Sequence, residues 1–410
     1  MEVPLAAWEE RRSRRSGRDL TSLGCGFDVG PETVGPGQCG NEWRCTLPEL
    51  RWNPLLGTWT MVAPNRQERP VDVAPTGRYS DAAAEPGSVG TQPASADSAG
   101  IEAEAGETPR QPGCPFCPGS GKVPSNYTVL SYDNDYPALT DSCGGMPVQV
   151  GGPYKTAPAY GKCEVILYSP DHDAVLWRLP DDHVRKLVDL WVERCCALSR
   201  DPLIKYVFIF ENRGAEVGVT LHHPHGQLYA YPFVPLKITT ELDNCRRYFD
   251  ERGRCLLCDM NLEESREGPR LIAENEDFLC YLPSFTDYPF GAFIVARRHV
   301  AMLHDLRPQE RSSLASMLKG LVEAFDHLFA RPFPYMMCVH QGPVNEPEYE
   351  DAGDYYHLHI EFYPPLRAKD RLKYYASSEM GAWAACNPLS VEETAPLLRD
   401  VFNRVRKGGV

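Results

Sequence analysis

The segment His223-Pro224-His225-Gly226-Gln227 contains the residue types best suited to chemistry in this sequence. Alternate side chains of a strand share a face, so both histidines and Gln227 should line up, and Pro224 favours an edge or irregular position. A neutral imidazole held in one tautomer by a backbone hydrogen bond is a competent nucleophile near neutral pH. Gln227 could donate its amide to a phosphoryl oxygen. The segment predicts nucleophilic attack on phosphorus by His225. A histidine that only supports the site or contacts substrate is the alternative.

Two sets of cysteine and histidine residues have the composition of tetrahedral zinc sites. Each set begins with a CxxC pair, which places two thiolates on one turn, and continues with two downstream histidines. The sets are Cys114, Cys117, His172 and His223, and Cys255, Cys258, His299 and His357. We expect His172 at a strand end and His223 within a strand. Since protein would fill all four positions, both Zn²⁺ sites would be structural, unless the CxxC pairs are adventitious.

Two further segments could bind a phosphorylated ligand. Glycines at 214 and 218 would let backbone N–H groups approach phosphate oxygens, although a glycine-containing hairpin would have a similar sequence. Arg66 and Arg69 form a compact cationic pair that suits a diphosphate. Two solvated surface arginines are the alternative for that pair.

Asn134 and Asp135 follow a short predicted strand. Their side chains could hydrogen-bond to the hydroxyls of a ribose. The same residue types also cap turns, because their short polar side chains bond to the nearby backbone. Both interpretations stay open on this segment alone.

The elements that must position these residues occur in the same order twice. In each pass a CxxC pair precedes a strand, an amphipathic helix and two further strands. The first helix, in 181–199, has an apolar stripe formed by Val184, Leu187, Val188, Trp191 and Cys195. The second helix is predicted from Ser312 to Leu328. The repeated order predicts a duplicated α+β unit.

This repeat divides the chain into three parts. Residues 1–46 have no clear hydrophobic period and are predicted to be a poorly structured extension. The first half of the repeat is placed at 47–236, with a strand from Thr58 to Val62, and the second half at 237–410. The stretch 73–112 is rich in Ala, Gly, Ser, Thr, Pro and Glu, so we predict a disordered insertion there.

Composition excludes several classes of protein. The chain has 410 residues, 42% of them apolar, and a formal charge of -14. The negative charge argues against broad binding to nucleic acid, and no apolar run approaches the roughly 20 residues that span a bilayer. The N-terminus is charged where a signal peptide would be apolar. With 15 cysteines and no secretion signal, metal binding is favoured over disulfides, and a cytoplasmic location is expected.

Several separated motifs resemble the galactose-1-phosphate uridylyltransferase family of the histidine triad superfamily, between about Arg51 and Arg399. They are RWNPLLGTWTMVAPNRQERP, CPFC, NDYPAL, YSPDH, FENRGAEVG, HPHGQ, YPFGAFIVARRHV and FYPPL. The resemblance implies a duplicated α+β fold with antiparallel half-barrel sheets and helices packed outside. It also implies a homodimer with sites at the subunit interface. The implied chemistry is ping-pong: UDP-glucose gives its uridylyl group to a histidine and releases glucose 1-phosphate, and galactose 1-phosphate then forms UDP-galactose.

The resemblance also implies roles for individual residues. His225 matches the family nucleophile and Gln227 the glutamine that stabilises the phosphoryl group. Thr220 stands where the family has a serine. The positions that match contacts to the nucleotide sugar are Arg66, Arg69, Asn134, Asp135, Asn212, Gly218, Thr220, Lys373 and Glu379. The last two lie in a segment that matches the family loosely.

The second half departs from one form of the family. Some members bind a second metal through one Glu and three His. Here Glu241, His340 and His359 match three of these ligands, but Glu361 stands at the fourth position. We therefore expect the second Zn²⁺ at Cys255, Cys258, His299 and His357, with the Glu241, His340 and His359 set as the alternative. The motif from His357 to His359 lacks the proline, and no nucleophile is assigned there.

Two other functions stay open at this stage. An ADP-sugar or dinucleotide phosphorylase of the same superfamily would use the same histidine with phosphate as acceptor. A non-enzymatic, zinc-stabilised nucleotide-binding protein would use the histidine motif only as a metal anchor. The cationic pair and Gln227 favour an enzyme acting on small phosphorylated substrates.

Overall fold

The computed structural model describes residues 48–63, 65–66, 113–143 and 149–408. The predictions for 1–46, for 73–112 and for Arg69 lie outside these residues. The described strands are β1 (Glu49–Asn53), β2 (Thr58–Val62), β3 (Leu130–Asp133), β4 (Gln149–Gly151), β5 (Tyr154–Pro158), β6 (Lys162–Leu167), β7 (Tyr206–Arg213), β8 (His225–Tyr231), β9 (Leu271–Glu274), β10 (Phe278–Tyr281), β11 (Phe293–Ala296), β12 (Tyr335–His340), β13 (His359–Tyr363), β14 (Leu366–Ala368) and β15 (Arg371–Leu372). The described α-helices are α1 (Asp181–Leu198), α2 (Leu236–Arg252), α3 (Leu256–Glu267), α4 (Pro308–Leu328), α5 (Ala352–Tyr355), α6 (Ser377–Ala382) and α7 (Val391–Arg406).

An open antiparallel sheet of nine strands forms the centre of the fold, in the order β3-β6-β8-β7-β12-β13-β11-β10-β9. Strands that precede α2 occupy one end, strands that follow it occupy the other, and β7 pairs with β12 between them. The order β6-β8-β7 on one side mirrors β11-β13-β12 on the other. The predicted α+β class with antiparallel sheets is confirmed. A separate four-stranded sheet has the order β2-β1-β5-β4.

Helices α1 and α4 pack together on one face of the central sheet. The apolar stripe predicted for α1 is the face that is buried. Helix α4 begins at Pro308, four residues before the predicted start, because its first turn is polar and carries no apolar period. The Glu310 carboxylate accepts the Arg307 N–H at 2.6 Å and caps that turn. The main core lies between these helices, α7 and the sheet.

The predicted secondary structure around two histidines, His172 and His223, was wrong in detail. His223 lies in a loop, since β8 begins only at His225. Pro224 has no N–H for the ladder, so the strand starts after it. His172 lies in a turn five residues beyond Leu167, where β6 ends. Both histidines are therefore supplied by loops at the ends of strands, whose backbone can bend around a common centre.

Among the residues described, none of the helices combines the length and the apolar character that crossing a bilayer requires.

Candidate active site

His225 is the first residue of β8, and its imidazole is held by the backbone beside it. Nδ1–H donates to the carbonyl oxygen of His223 at 2.7 Å. In this neutral tautomer the lone pair lies on Nε2. The ring of Phe116 packs edge-on against the imidazole, with the centroids 4.9 Å apart. The half-buried imidazole is thus fixed in both tautomer and orientation.

Gln227 lies two residues further along β8 and is oriented by a chain of donors. Its Oε1 accepts the Tyr229 hydroxyl at 3.3 Å and lies 3.5 Å from the Asn134 amide nitrogen. Arg66 in turn donates to the Tyr229 hydroxyl at 2.7 Å. Because the carbonyl side of Gln227 is engaged, its amide N–H groups are the part left to meet a ligand oxygen.

Two adjoining cavities meet at His225 and Gln227. The first has a volume of about 440 Å³ and the second about 350 Å³. Among the predicted substrate contacts, the residues that line the first are Arg66, Asn212, Gly218 and Thr220. Those that line the second are Asn134, Asp135 and Thr220. The structure therefore brings these predicted residues together around one imidazole.

The glycine loop that follows β7 forms one wall of the first cavity. Gly218 has φ of +81°, a left-handed conformation that glycine adopts without strain. Gly214 also has positive φ, and a Cβ there would lie 2.7 Å from the Pro334 Cβ. Both positions therefore require glycine for the backbone conformation, and Gly218 also lines the cavity.

The first Cys/His set converges at buried ligand atoms. Nδ1 of His223 lies 3.9 Å from the Cys114 Sγ and 3.8 Å from the Cys117 Sγ, and Nδ1 of His172 lies 3.6 Å from the Cys117 Sγ. A zinc tetrahedron with Zn–S of about 2.3 Å separates sulfur and nitrogen by roughly 3.5 Å. Nε2–H of His223 donates to the Ser169 carbonyl at 2.8 Å, and burial lowers the pKa of His223 to about 4. A neutral imidazole aimed at two thiols suits zinc.

The second Cys/His set has the same arrangement at the start of α3. Nδ1 of His357 lies 3.6 Å from the Cys255 Sγ and 3.5 Å from the Cys258 Sγ. Nδ1 of His299 lies 3.5 Å from the Cys258 Sγ. The remaining ring nitrogens of His357 and His299 donate to the backbone carbonyls of Ala296 and Gly353. Both sets could hold metal ions, and their soft ligands are compatible with zinc.

A third cluster gathers Glu241, His340, His359 and Glu361, whose ligand atoms lie within 4.8 Å of one another. The sequence left this set and the second Cys/His set as alternatives, but the structure assembles both. Nδ1 of His340 lies 2.9 Å from the Glu241 Oε2, and Nε2 of His359 lies 3.3 Å from the Glu361 Oε1. The Lys237 ammonium lies 2.5 Å from the Glu361 Oε2.

Sequence reasoning missed two residues of the site. Tyr229 shares a strand face with Gln227, so the alternation in β8 carried a signal for it. Phe116 stands between Cys114 and Cys117, and its place between two metal ligands was the available signal. Both residues support groups that would meet substrate.

A buried carboxyl lies behind the strand of the nucleophile and was also missed. Glu211 accepts the hydroxyls of Tyr168 and Tyr335, each at 3.1 Å. Burial raises the pKa of Glu211 to about 7. The Tyr168 ring packs so close to Gly226 that a Cβ there would lie 2.5 Å from the hydroxyl oxygen. A charged residue directly after the apolar run of β7 was the signal.

Two predicted substrate residues are not brought to His225 within one chain. The Lys373 side chain is nearly buried, with its ammonium 4.8 Å from the Tyr288 ring centroid and 4.4 Å from that of Tyr375. Glu379 lies exposed on α6, where its carboxylate accepts the Ala376 N–H at 3.2 Å. Neither residue lines either cavity described above.

Family models named galactose-1-phosphate uridyl transferase match most of the sequence. The N-terminal domain model matches residues 40–235 and the C-terminal domain model matches residues 241–376. The chain belongs to the galactose-1-phosphate uridylyltransferase family. The resemblance predicted from the motifs is therefore confirmed, and the chain is a nucleotidyltransferase of galactose metabolism.

Individual members of the galactose-1-phosphate uridylyltransferase family agree with this assignment. The enzyme of that name from Thermotoga maritima is 36% identical over 352 residues, which cover 86% of this chain and 98% of that protein. The Saccharomyces cerevisiae enzyme is 29% identical over 337 residues, covering 77% of this chain and 84% of its own. A solved structure of a uridylyltransferase has a TM-score of 0.71 at 27% identity, covering 87% of this chain and 99% of that one.

An ADP-glucose phosphorylase from Arabidopsis thaliana has the same fold. Its structure has a TM-score of 0.60 at 22% identity and covers 86% of this chain and 99% of that chain. At this identity the likeness shows the fold alone. Family membership favours an enzyme over the non-enzymatic alternative.

Proposed function

We propose that this enzyme exchanges UMP between UDP-glucose and galactose 1-phosphate through a covalent uridylyl group on His225. The observation that carries the proposal is the fixed tautomer of His225, whose Nδ1–H is held by the His223 carbonyl at 2.7 Å. This hydrogen bond leaves the nucleophilic lone pair on Nε2. The adjacent amide of Gln227 faces the same cavities.

The transfer consists of two displacements at the α-phosphorus. In the first, the Nε2 lone pair forms the N–P bond, and the bond from phosphorus to the bridging oxygen breaks. Glucose 1-phosphate leaves with that electron pair. The His223 carbonyl stabilises the positive charge that develops on the ring, so no proton needs to leave Nδ1. In the second, a phosphate oxygen of galactose 1-phosphate attacks the same phosphorus, and the electron pair returns to Nε2.

Charge on the transferred phosphoryl group would be met by the surrounding donors. The Gln227 amide would donate to a non-bridging oxygen, and the loop that contains Gly218 would offer backbone N–H groups. Arg66 would contribute positive charge near the diphosphate while it holds Tyr229. Asn134 and Asp135, which line the adjoining cavity, would bind the ribose.

Zinc would have a structural role in this mechanism. When bound, it would cross-link the loops that supply Cys114, Cys117, His172 and His223. Because the His223 carbonyl holds the His225 imidazole, a fixed His223 would fix the nucleophile as well. We place one zinc ion in this set and a second in the Cys255 set.

A homodimer would complete the site. Lys373 and Glu379 lie away from His225 in their own chain, and exposed apolar side chains surround them. The exposed fractions are 72% for Tyr374, 66% for Met380 and 63% for Trp383. Burying this surface against a second copy would be favourable, and would bring the segment that holds Lys373 and Glu379 to the partner's site.

The boundary between the halves and the location of the enzyme are also part of the proposal. We place the boundary at 236/237, at the start of α2, so that each half contributes its own strands to the central sheet. The eleven cysteines in the described part of the chain form no disulfide bond with one another. Their number favours a reducing compartment, and we assign the enzyme to the cytoplasm.

A substrate panel tests the proposed function. The enzyme is given UDP-glucose or ADP-glucose as donor, with galactose 1-phosphate or inorganic phosphate as acceptor. The proposal predicts UDP-galactose and glucose 1-phosphate from the first donor with the first acceptor. Faster turnover of ADP-glucose with phosphate would instead indicate a phosphorylase.

A further inference from the structure

The second half contains a counterpart of the catalytic constellation, built from different residues. Nδ1 of His359 donates to the His357 carbonyl at 2.9 Å, just as His225 is held by His223. Glu361 follows His359 by two residues, as Gln227 follows His225. Across the sheet, β12 pairs His340 with His359. In the first half, the same antiparallel register places Asn212 of β7 opposite His225 of β8, two residues beyond the Phe210–Gln227 pair. Asn212 therefore corresponds to His340.

These replacements change the kind of ligand that the counterpart can hold. In the first half an amide, an imidazole and a second amide, those of Asn212, His225 and Gln227, line one cavity. In the second half these positions hold His340, His359 and the carboxylate of Glu361, and α2 adds Glu241. Two carboxylates repel a phosphate and attract a cation. The residue types of the second-half cluster therefore favour a bound cation over a phosphate.

A cation from the chain itself already lies at this site. The ammonium of Lys237 lies 2.5 Å from the Glu361 Oε2 and 3.8 Å from the Glu241 Oε1, so it contacts both carboxylates. The Tyr363 hydroxyl also hydrogen-bonds to the ammonium, and the Tyr363 ring centroid lies 4.9 Å away. One lysine thus supplies positive charge where a metal ion would supply it.

The carboxylate oxygens are further occupied by side-chain donors. Glu241 Oε2 accepts the Tyr356 hydroxyl at 2.7 Å in addition to the His340 ring nitrogen. In the Cys/His sets each histidine directs Nδ1 to sulfur, whereas here the ring nitrogens of His340 and His359 face carboxylate oxygens. The third cluster is therefore satisfied by hydrogen bonds and by one ammonium group.

We propose that Lys237 takes the place of a metal ion in the Glu241/His340/His359/Glu361 cluster, so that each chain binds two metal ions rather than three. The lysine excludes a divalent cation by charge repulsion and by occupying the carboxylates that would bind it. Removing the ammonium should convert the cluster into a metal site with oxygen and nitrogen ligands. This inference rests on the two zinc sites proposed above and does not depend on the covalent mechanism.

Elemental analysis of the full-length protein tests the inference. Wild type, Lys237→Met and the charge-preserving control Lys237→Arg are incubated with excess Zn²⁺ or Mn²⁺ and desalted. We expect two ions per chain for wild type and for the arginine variant, and three for the methionine variant. Adding Glu361→Gln to Lys237→Met should return the count to two, which would place the third ion in this cluster.

Cobalt substitution gives a second readout. Co²⁺ bound by the Cys/His sets produces thiolate charge-transfer absorption, and Co²⁺ in the third cluster does not. The third equivalent bound by Lys237→Met should therefore add no charge-transfer intensity. Three tightly bound ions in wild type would overturn the inference, as would a folded Lys237→Met that binds only two. The wild-type count decides the matter even if the methionine variant fails to fold.

Discussion

At the scale of single residues, Gln227 and Glu361 show how one atom changes what a site attracts. Both follow a histidine held by the backbone carbonyl two residues before it, and both face inward from corresponding strands. The Gln227 amide nitrogen donates, whereas each Glu361 oxygen accepts. An anionic phosphoryl group is stabilised by the first and repelled by the second.

Gln227→Glu therefore tests the role of this amide. We expect kcat to fall by roughly 10²–10³ or more, because a donor is lost and a negative charge is added beside the phosphoryl group. Gln227→Ala, which removes the donor without adding charge, is the matched control and should lose less. Steady-state kinetics with UDP-glucose and galactose 1-phosphate measures both variants. Equal activity of Gln227→Glu and wild type would contradict the role.

The residues whose chemistry could be predicted are those whose type limits their use. The spacing of the cysteine pairs predicted metal sites, and the spacing of the histidine motif predicted a nucleophile. Tyr229 and Phe116 did not, because tyrosine and phenylalanine occur throughout cores and strands. Their contribution depends on the atoms they contact, which only the folded arrangement of β8 and the CxxC turn reveals.

At the scale of elements, hydrophobic periodicity predicted which helix face is buried. It did not predict where α4 and β8 begin, because capping and a proline set those positions. The stripe of α1 was predicted because burial selects apolar residues every three or four positions. The first turn of α4 was missed because its Pro308 and Glu310 work through capping. His223 was predicted within a strand, but β8 begins only at His225 because Pro224 interrupts the ladder.

The carboxyl of Glu211, buried in β7, predicts a pH dependence of stability. Burial raises its pKa from 4.5 to about 7, so the folded state binds this proton more tightly than the unfolded state. Stability should therefore fall as pH rises from about 4.5 to about 7, by on the order of 3 kcal/mol at most. Glu211→Gln cannot ionise, and it should lose less stability over this range.

Denaturant unfolding of wild type and Glu211→Gln at pH 5 and pH 8 measures the effect. The difference between the two proteins matters, because other groups titrate equally in both. The same loss of stability in both proteins would show that Glu211 does not bind its proton more tightly in the folded state.

At the scale of the whole molecule, the duplication allowed the architecture to be predicted. It did not predict how the two halves differ. The repeated order of CxxC, strand, helix and two strands predicted the α+β fold. The resemblance pointed to Glu241, His340 and His359, with Glu361 at the fourth position, but not to Lys237, which comes from α2, outside the repeated motifs. The proposed role of the surface around Lys373 likewise requires a second chain.

Loss of either zinc set should destabilise the molecule. Cys117→Ser or Cys258→Ser should remove one zinc per chain and cost of the order of 4 kcal/mol or more in the free energy of unfolding. Cys386→Ser, at an exposed cysteine, is the control and should change neither quantity. Zinc analysis and denaturant unfolding give the readouts. Unchanged zinc content in either ligand variant would show that the corresponding Cys/His set does not bind zinc.

Mixed dimers test whether Lys373 acts on the partner's site. Chains with His225→Gly and chains with Lys373→Ala are each expected to be impaired alone. A heterodimer of the two has one site with both residues intact, so its rate should approach about half that of wild type. Activity of the mixture no higher than the average of the parents would place Lys373 in the site of its own chain or outside the site.

The covalent intermediate on His225 is the central claim, and intact mass spectrometry tests it most directly. Wild type and His225→Gly are incubated with UDP-glucose without acceptor and measured under conditions that preserve a phosphoramidate. We predict that wild type gains the mass of one uridylyl group, loses it when galactose 1-phosphate is added, and that His225→Gly gains nothing while it keeps its zinc. An active wild-type enzyme without this added mass, or a uridylylated His225→Gly, would contradict the mechanism.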